Sequence, residues 1–174
     1  MTMTKKHLTK ICLNQLRYIS EQQFDIRIEA DGRWFHDGQV IGRIELVKLF
    51  ASILIRDELG EYWLATPVER GRIAVDDVPF VVVDLDVDVY EAKQSNKIEF
   101  RTNVDDTIPL NKSHPIQLFH SDKTKDLRPY VEVRDGLLAR LSRPVYYKLA
   151  EYAEMGPAGK LGVWSHKQFF ELEL

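Results

Sequence analysis

The chain has 174 residues, of which 44% are hydrophobic and 29% are charged, and its formal net charge at pH 7 is −3. These values are typical of a globular protein and exclude a disordered or fibrous one. The net charge provides no broad basic field, so neither duplex nucleic acid nor an anionic membrane is an expected partner. The single cysteine, Cys12, cannot form an internal disulfide, and no apolar run approaches the ~20 residues of a membrane span. We therefore predict a cytoplasmic protein.

The first part of the chain predicts two helices and two strand hairpins. Apolar residues recur at helical spacing over residues 4–20, where Cys12 is expected to be a small core residue. The predicted strands lie at residues 24–28, 33–36, 62–65 and 72–75. The Asp-Gly pair at residues 31–32 predicts the turn of the first hairpin. A helix of about three turns is predicted from Ile44, ending near residues 57–60.

The rest of the chain is predicted to be rich in strands. They lie at residues 81–89, 98–102, 116–119, 130–133, 137–141, 161–164 and 169–172. Pro144 suits the first turn of a helix whose apolar spacing continues to Ala153, before residues 156–157 end it. The polar residues 121–126 predict an exposed loop.

One order of elements occurs twice: strand, Asp-Gly turn, strand, helix, strand with tryptophan, turn, strand. Residues 31–32 and 135–136 are both Asp-Gly, and Trp63 and Trp164 fall at matching places. We therefore predict an α+β protein built from duplicated hairpin–helix–hairpin units. The N-terminal domain would span residues 1–76, and the C-terminal domain, with an enlarged antiparallel sheet, residues 77–174.

Three carboxylates spaced by two, Asp84, Asp86 and Asp88, lie on one face of a predicted strand. They resemble the start of an EF-hand calcium loop, but Val89 and Ser95 stand where that loop needs glycine and glutamate. A solvated edge strand, protected from aggregation by its charges, is the preferred interpretation.

The sequence predicts no metal site and no cofactor. Its histidines show no i, i+4 helical spacing and have no cysteine pair beside them. They are His7, His36, His114, His120 and His166. The glycine-lysine loop at residues 156–160 follows a helix and precedes a strand, which is the reverse of the order that a phosphate loop requires.

A turn at residues 66–72 combines Thr66, Glu69, Arg70 and Arg72 between strands that carry aromatic residues. Such a cluster can hold a phosphate or carboxylate through bidentate hydrogen bonds. The alternative is a solvated turn with an internal Glu–Arg pair.

A second basic group lies near the equivalent hairpin of the second copy. Its members are Arg134, Arg140 and Arg143. The two groups could line a cleft between the copies, since domain interfaces are preferred places for small-ligand pockets.

Several motifs, in order, resemble the uncharacterised bacterial family known as domain of unknown function 1285. They are WFHDG at 34–38 with Ile41 and Arg43, LVKLFA at 46–51, IL at 53–54, YWL at 62–64, TPVE at 66–69, RTNVDD at 101–106, HPI at 114–116 and VRDGLLARLSR at 133–143. The resemblance covers residues 26–172. It implies a core made by domain duplication and a C-terminal half superficially like pleckstrin-homology folds. It also implies a pocket for a nucleotide-like ligand at the domain interface and a role in signalling. No enzymatic activity is established for the family.

The first hypothesis is a non-catalytic ligand-sensing or signal-transduction protein that binds a small anionic, nucleotide-like ligand at the interface of its two domains. Arginines would hold the anion, aromatic rings would stack on a base, and polar side chains would add hydrogen bonds. The candidate residues are Arg43, Arg70, Arg140 and Arg143 for the anion, Trp34, Tyr62 and Trp63 for the base, and Thr66, Glu69 and Asn103 for the hydrogen bonds.

Two alternatives stay open. The chain could be a protein-interaction adaptor, recruiting a partner by strand addition to the edge at residues 84–89. It could also be an enzyme, with Glu69, Asp105 and His114 as candidate acid–base groups.

Overall fold

A computed structural model describes residues 21–120 and 127–172 of the chain. The chain divides into two compact units, the first ending at Asp77 and the second beginning at Val78. The predicted helix at residues 4–20, with His7 and Cys12, and the predicted loop at residues 121–126 lie outside the described residues.

The first unit combines a six-stranded mixed sheet with one helix. Its elements are β1 (Glu21–Ile28), β2 (Trp34–His36), β3 (Gln39–Val40), α1 (Ile44–Ser52), β4 (Leu54–Arg56), β5 (Tyr62–Ala65) and β6 (Arg70–Val75). The strand order is β3-β2-β1-β6-β5-β4, with β1 and β6 parallel and the other neighbours antiparallel. Ile26 and Ile28 of β1 are buried, whereas Asp25 and Arg27 are exposed, which is the predicted alternation.

Helix α1 is shorter than predicted. It ends at Ser52, whose hydroxyl donates to the Leu49 carbonyl (2.6 Å), and not near residues 57–60. The next residues form β4, in which buried Leu54 pairs with Leu64 of β5. The apolar run at residues 53–55 suits either a helix or a strand, and pairing with β5 decides in favour of the strand.

The second unit contains a six-stranded mixed sheet, a small three-stranded antiparallel sheet and one helix. Its elements are β7 (Phe80–Asp88), β8 (Lys97–Thr102), β9 (Thr107–Pro109), β10 (Ile116–His120), β11 (Leu127–Arg134), β12 (Leu137–Leu141), α2 (Arg143–Ala150), β13 (Glu154–Met155), β14 (Leu161–Ser165) and β15 (Gln168–Glu171). The strand orders are β10-β11-β12-β7-β8-β9 and β13-β14-β15. Strands β12 and β7 are parallel, and α2 packs against β7 and β14.

The strand that carries the three aspartates is not an edge strand, so that interpretation is wrong. β7 lies between β12 and β8, with β8 pairing along it as far as Asp88. β12 pairs with residues 80–82, and beyond them Lys148 of α2 donates to the Leu85 carbonyl (2.7 Å). The edges of this sheet are β9 and β10.

The predicted two-part duplicated architecture fits the order of elements, while the pairing of the strands differs between the copies. The series β1, β2, α1, β5, β6 recurs as β11, β12, α2, β14, β15. In the first unit, β1 pairs with β6, so the whole copy forms one sheet. In the second unit, β12 pairs instead with β7, and β14 and β15 belong to the separate small sheet. The strands between the copies therefore do enlarge the second sheet, as expected.

The two helices of the described chain have nine and eight residues, which is too few to cross a bilayer.

Candidate functional site

Two of the predicted anion-binding arginines, Arg140 and Arg143, line one cavity in the second unit. We call it the arginine cavity. Its volume is about 640 Å³, within the range of roughly 300–1,000 Å³ that is usual for small-molecule sites. Its lining residues are Leu118, Leu127, Arg128, Pro129, Arg140, Leu141, Ser142, Arg143, Tyr146 and Tyr147.

The hairpin of β11 and β12 brings the cavity's strand residues together. The Asp135-Gly136 turn has φ values of 45° and 76°, the left-handed pair of a two-residue hairpin turn, and Gly136 N–H donates to the Glu132 carboxylate (2.9 Å). Tyr130 then pairs with Arg140 across the hairpin. Arginine residues on neighbouring strands therefore reach the same end of the sheet.

Helix α2 supplies the remaining side of the cavity. Ser142 is its N-cap residue, and its carbonyl accepts the first helical hydrogen bond from Tyr146 N–H (2.9 Å), but its hydroxyl makes no capping bond. Arg143, Tyr146 and Tyr147 are three and four residues apart, so they lie on one side of the helix. The positive end of the helix dipole thus faces the same region as the arginines.

The electrostatics of the arginine cavity favour an anion. Among the ten described residues that line it, three are arginines and none is acidic. In the part of the chain that the structure describes, no carboxylate lies within 4.0 Å of the Arg143 guanidinium. The three leucines and Pro129 supply apolar surface beside the arginines, so the cavity suits an anion that also has an apolar or planar body.

In the first unit, the predicted residues Trp63 and Arg70 are in contact. The Arg70 guanidinium lies 4.9 Å from the centre of the Trp63 ring, and that of Arg72 lies 5.1 Å from it. Arg72 also pairs with Glu61 (3.5 Å). Because Trp63 is 5% exposed and both arginines lie against it, its ring is an internal platform for the two cations.

The other predicted aromatic residues have partners inside the first unit. The Tyr62 ring has the Arg56 guanidinium 5.5 Å from its centre, and burial raises the pKa of the Tyr62 hydroxyl. Trp34 is 1% exposed and stacks on Phe50 at 6.2 Å, so it belongs to the core. Arg43 is exposed at the N-cap of α1.

The predicted hydrogen-bonding residues hold turns in place. The Thr66 hydroxyl donates to the Glu69 carbonyl (3.1 Å) and accepts from the Glu69 and Val68 amides, which fixes the turn between β5 and β6. Glu69 itself is exposed. The Asn103 side-chain oxygen accepts from the Val81 amide (3.0 Å), joining the β8 end to β7.

The candidate acid–base residues have structural partners. His114 Nδ1 lies 2.7 Å from the Glu132 carbonyl, and the Asp105 carboxylate lies 3.7 Å from Arg101. Over the described residues, no group of three histidine, cysteine, aspartate or glutamate side chains could hold a metal ion.

Sequence reasoning missed Arg128, Tyr146 and Tyr147 as cavity residues. The signal for the tyrosines was present, because Arg143, Tyr146 and Tyr147 have the spacing of one helix face. No local signal could identify Arg128, which reaches the cavity because β11 begins at Leu127, three residues before the predicted strand.

Comparisons with known proteins agree over both units. Residues 18–78 match the family model described as domain of unknown function (DUF1285), N-terminal domain, and residues 79–172 match the corresponding C-terminal domain. No curated protein matches the chain.

Two solved structures are similar to the chain. One is a DUF1285 family protein from Silicibacter pomeroyi DSS-3, 38% identical, with a TM-score of 0.79 over 88% of this chain and 82% of that chain. The other is a DUF1285 family protein from Shewanella baltica OS155, 29% identical, with a TM-score of 0.57 over 74% of this chain and 91% of that chain. The family resemblance that the sequence motifs indicated is thus confirmed, and the chain belongs to the DUF1285 family.

Proposed function

We propose that the chain is a non-catalytic ligand-sensing protein whose arginine cavity binds a small anionic ligand of the nucleotide type. The observation that carries this proposal is the convergence of Arg128, Arg140 and Arg143 on one cavity, whose lining in the described part of the chain contains no acidic residue. Guanidinium groups bind phosphate in bidentate geometry, so three of them suit a phosphorylated ligand better than a neutral one.

The remaining lining residues suit the non-phosphate part of such a ligand. Tyr146 and Tyr147 offer aromatic rings, and Leu118 and Pro129 offer apolar contacts. A planar base can lie against surfaces of this kind while its phosphate contacts the arginines and the start of α2. A nucleotide would therefore contact both the arginines and the aromatic and apolar residues of the lining, whereas an inorganic anion would contact the arginines alone.

A signalling role belongs to the same proposal. A protein that binds a ligand without catalysing a reaction acts as a sensor when ligand binding changes its interactions with other molecules. This proposal also includes a second unit superficially like pleckstrin-homology folds, which the family resemblance implies, and a cytoplasmic location, which the composition predicts.

A thermal-shift screen tests the proposal directly. Mono-, di- and cyclic nucleotides at millimolar concentration should raise the unfolding temperature of the full chain, since a ligand that binds only the native state stabilises it. Calorimetric titration of the best compound should then give a Kd about tenfold higher for Arg143→Gln than for the unmodified chain, because one charge-assisted hydrogen bond is lost.

The matched control is Lys112→Gln, which removes one charge from an exposed residue outside the arginine cavity. It should bind the nucleotide as the unmodified chain does. A screen in which no nucleotide shifts the unfolding temperature would reject the proposal, as would equal loss of affinity in both variants.

Strand addition is the second candidate function, and the edge strand β10 favours it. The five residues of β10 include no aspartate, glutamate, lysine or arginine, although exposed edges are usually protected by charge. Phe119 is 46% exposed and its ring lies 5.7 Å from that of Tyr130. An adaptor would therefore recruit an extended peptide to β10 and not to residues 84–89.

A comparison of two variants tests the adaptor function. Phe119→Lys places a charge on the β10 edge, whereas Asp86→Lys changes the charge of an exposed residue on the interior strand β7. In quantitative pull-downs from cell extract, a strand-addition partner should be lost with Phe119→Lys and kept with Asp86→Lys. Retention by both variants excludes β10 as the binding edge.

A further inference from the structure

A second hollow lies elsewhere in the second unit and shares no lining residue with the arginine cavity. It has a volume of about 410 Å³ and is lined by Tyr90, Ser95, Lys97, His166 and Lys167. We call it the lysine pocket. These five are the lining residues that the structure describes; none of them is acidic, and all except Ser95 are exposed.

The walls of the lysine pocket are held by main-chain hydrogen bonds. His166 and Lys167 form the turn between β14 and β15, with φ values of 50° and 64°. Their amides donate to the carbonyls of Asn96 and Gln94, both at 2.8 Å. Positive φ at both central residues is the geometry of a two-residue hairpin turn, so the hairpin itself accounts for this conformation.

Two buried polar side chains fix the other wall. Asn96, which is 8% exposed, accepts a hydrogen bond from the Tyr90 amide through its side-chain oxygen (3.0 Å). Ser165, which is fully buried, accepts one from the Ile98 amide (3.1 Å). The pocket is therefore preorganised on both sides, which lowers the entropy lost when a ligand binds.

The lysines of this pocket differ from five other cations of the second unit, which have a carboxylate counter-ion. Over the described residues, no carboxylate lies within 4.0 Å of the ammonium groups of Lys97 or Lys167. Other cations of the unit are paired with carboxylates: Lys93, Arg101, Arg134, Lys148 and Lys160. The Lys97 ammonium lies 5.8 Å from the centre of the Tyr90 ring. An anion bound in the hollow would therefore be attracted by two cations that have no carboxylate beside them.

We propose that the lysine pocket is a second anion site, which binds a small doubly charged anion such as a phosphate monoester. Lysine acts as a compact point charge that binds phosphate without the planar geometry that arginine imposes. The Ser95 hydroxyl and the His166 ring can donate hydrogen bonds to the same group. The Tyr90 ring offers a surface for an apolar or aromatic substituent of the monoester. This site does not depend on the function proposed for the arginine cavity.

Titration of the ¹⁵N-labelled full chain with phenyl phosphate tests the proposal. The amides of Ser95, Lys97, His166 and Lys167 should shift with one saturable curve. The double variant K97Q/K167Q should raise the fitted Kd by about tenfold or more, because two charge-assisted contacts are lost. Since both lysines are exposed, the variant should keep the dispersed spectrum of the folded chain.

Matched probes and variants separate the possible outcomes. Inorganic phosphate reports the contribution of charge alone, and phenol reports that of the ring alone. Lys112→Gln, at an exposed residue outside both cavities, should leave the phenyl phosphate curve at this pocket unchanged. Saturation lost only in K97Q/K167Q supports the site. No saturable shift up to about 10 mM, or an equal loss of affinity in Lys112→Gln, overturns it.

Discussion

Lys148 of α2 holds two successive residues of β7 at once. Its ammonium donates to the Asp84 carboxylate (3.0 Å) and to the Leu85 carbonyl (2.7 Å), on the side of β7 that β12 leaves uncovered. Arg101 of β8 donates to the same carboxylate (2.9 Å). Asp84, the first of the three alternating aspartates of β7, therefore has a structural role, because it links α2 and β8 to this strand.

Acid should weaken this junction. Hydrogen bonds from Lys148 first, and then from Arg101, lower the pKa of Asp84 from its ordinary value of 3.8 to about 2. Because the folded pKa is the lower one, the stabilisation is fully present above the unfolded pKa and is lost as the pH falls through the folded one. The unfolding temperature of Asp84→Asn should thus lie below that of the unmodified chain at neutral pH, and the difference should shrink between about pH 4 and pH 2.

Asp88→Asn is the control for the pH series, since Asp88 is exposed on the same strand. Thermal melts of the three proteins at matched pH values give the comparison. A difference between Asp84→Asn and the unmodified chain that stays constant down to pH 2 would show that the Lys148 and Arg101 contacts do not depend on the charge of Asp84.

Gly71 is required because the Phe24 ring lies directly on it. A Cβ atom at residue 71 would lie 2.3 Å from the nearest ring carbon of Phe24, a distance shorter than Cβ contacts in real proteins. Gly71→Ala should therefore reduce the free energy of unfolding by about 1–3 kcal/mol, measured by urea denaturation. Gly42→Ala should be neutral or stabilising, because nothing lies within 4 Å of its added Cβ.

A double variant identifies the cause of the Gly71 effect. Phe24→Ala removes the ring that the new methyl group meets, so Gly71→Ala should be less destabilising in that background than in the unmodified chain. Additive effects of the two substitutions would mean that the strain arises elsewhere.

Ser165 joins the small sheet to the large one. Its buried hydroxyl accepts a hydrogen bond from the Ile98 amide of β8 (3.1 Å). Ser165→Ala leaves that buried amide without its acceptor, which should cost about 1–3 kcal/mol of unfolding free energy. Hydrogen exchange at Ile98 should also become faster than in the unmodified chain. Ser113→Ala, at an exposed serine, should change neither quantity.

Local sequence signals predicted the hairpins but not the way they pair. The Asp-Gly pair at residues 135–136 requires left-handed backbone, which identified the turn correctly. By contrast, the apolar residues Leu54 and Ile55 suit both a helix and a strand, and only their pairing with β5 makes them part of β4. The parallel pairing of β12 with β7 is equally a long-range event, with no signature in either segment.

The candidate site shows the same division. Arg140 and Arg143 could be predicted, since both follow the second Asp-Gly turn within one recognisable segment. Leu118 reaches the arginine cavity through the pairing of β10 with β11, where it faces Pro129. The burial of Trp34 was not predicted either, because an aromatic residue in a short strand can face solvent or core, and its stacking on Phe50 decides.

The Asp57 carboxylate joins the turn between β4 and β5 to the Trp63 side chain. Asp57 accepts hydrogen bonds from the Trp63 indole and from the amides of Leu59 and Glu61, each at 2.9 Å. Burial is the largest single influence and opposes ionisation, but the hydrogen bonds from Trp63, Glu61 and Leu59 together lower the pKa of Asp57. The stabilisation is therefore present above the carboxyl's ordinary pKa of 3.8 and is lost as the pH falls below it.

Asp57→Ala should reduce the free energy of unfolding by about 1–3 kcal/mol at neutral pH, because three donors lose their acceptor. Asp57→Asn should be less destabilising, since its carbonyl oxygen can still accept from the two amides. Trp63→Phe keeps an aromatic ring for Arg70 and Arg72 and removes only the indole donor. Urea denaturation of the two single variants and of Asp57→Asn/Trp63→Phe gives their coupling energy, expected near 0.5–1.5 kcal/mol, roughly that of one hydrogen bond. A coupling energy of zero would mean that the indole donates nothing to stability and that Asp57 acts through the turn amides alone.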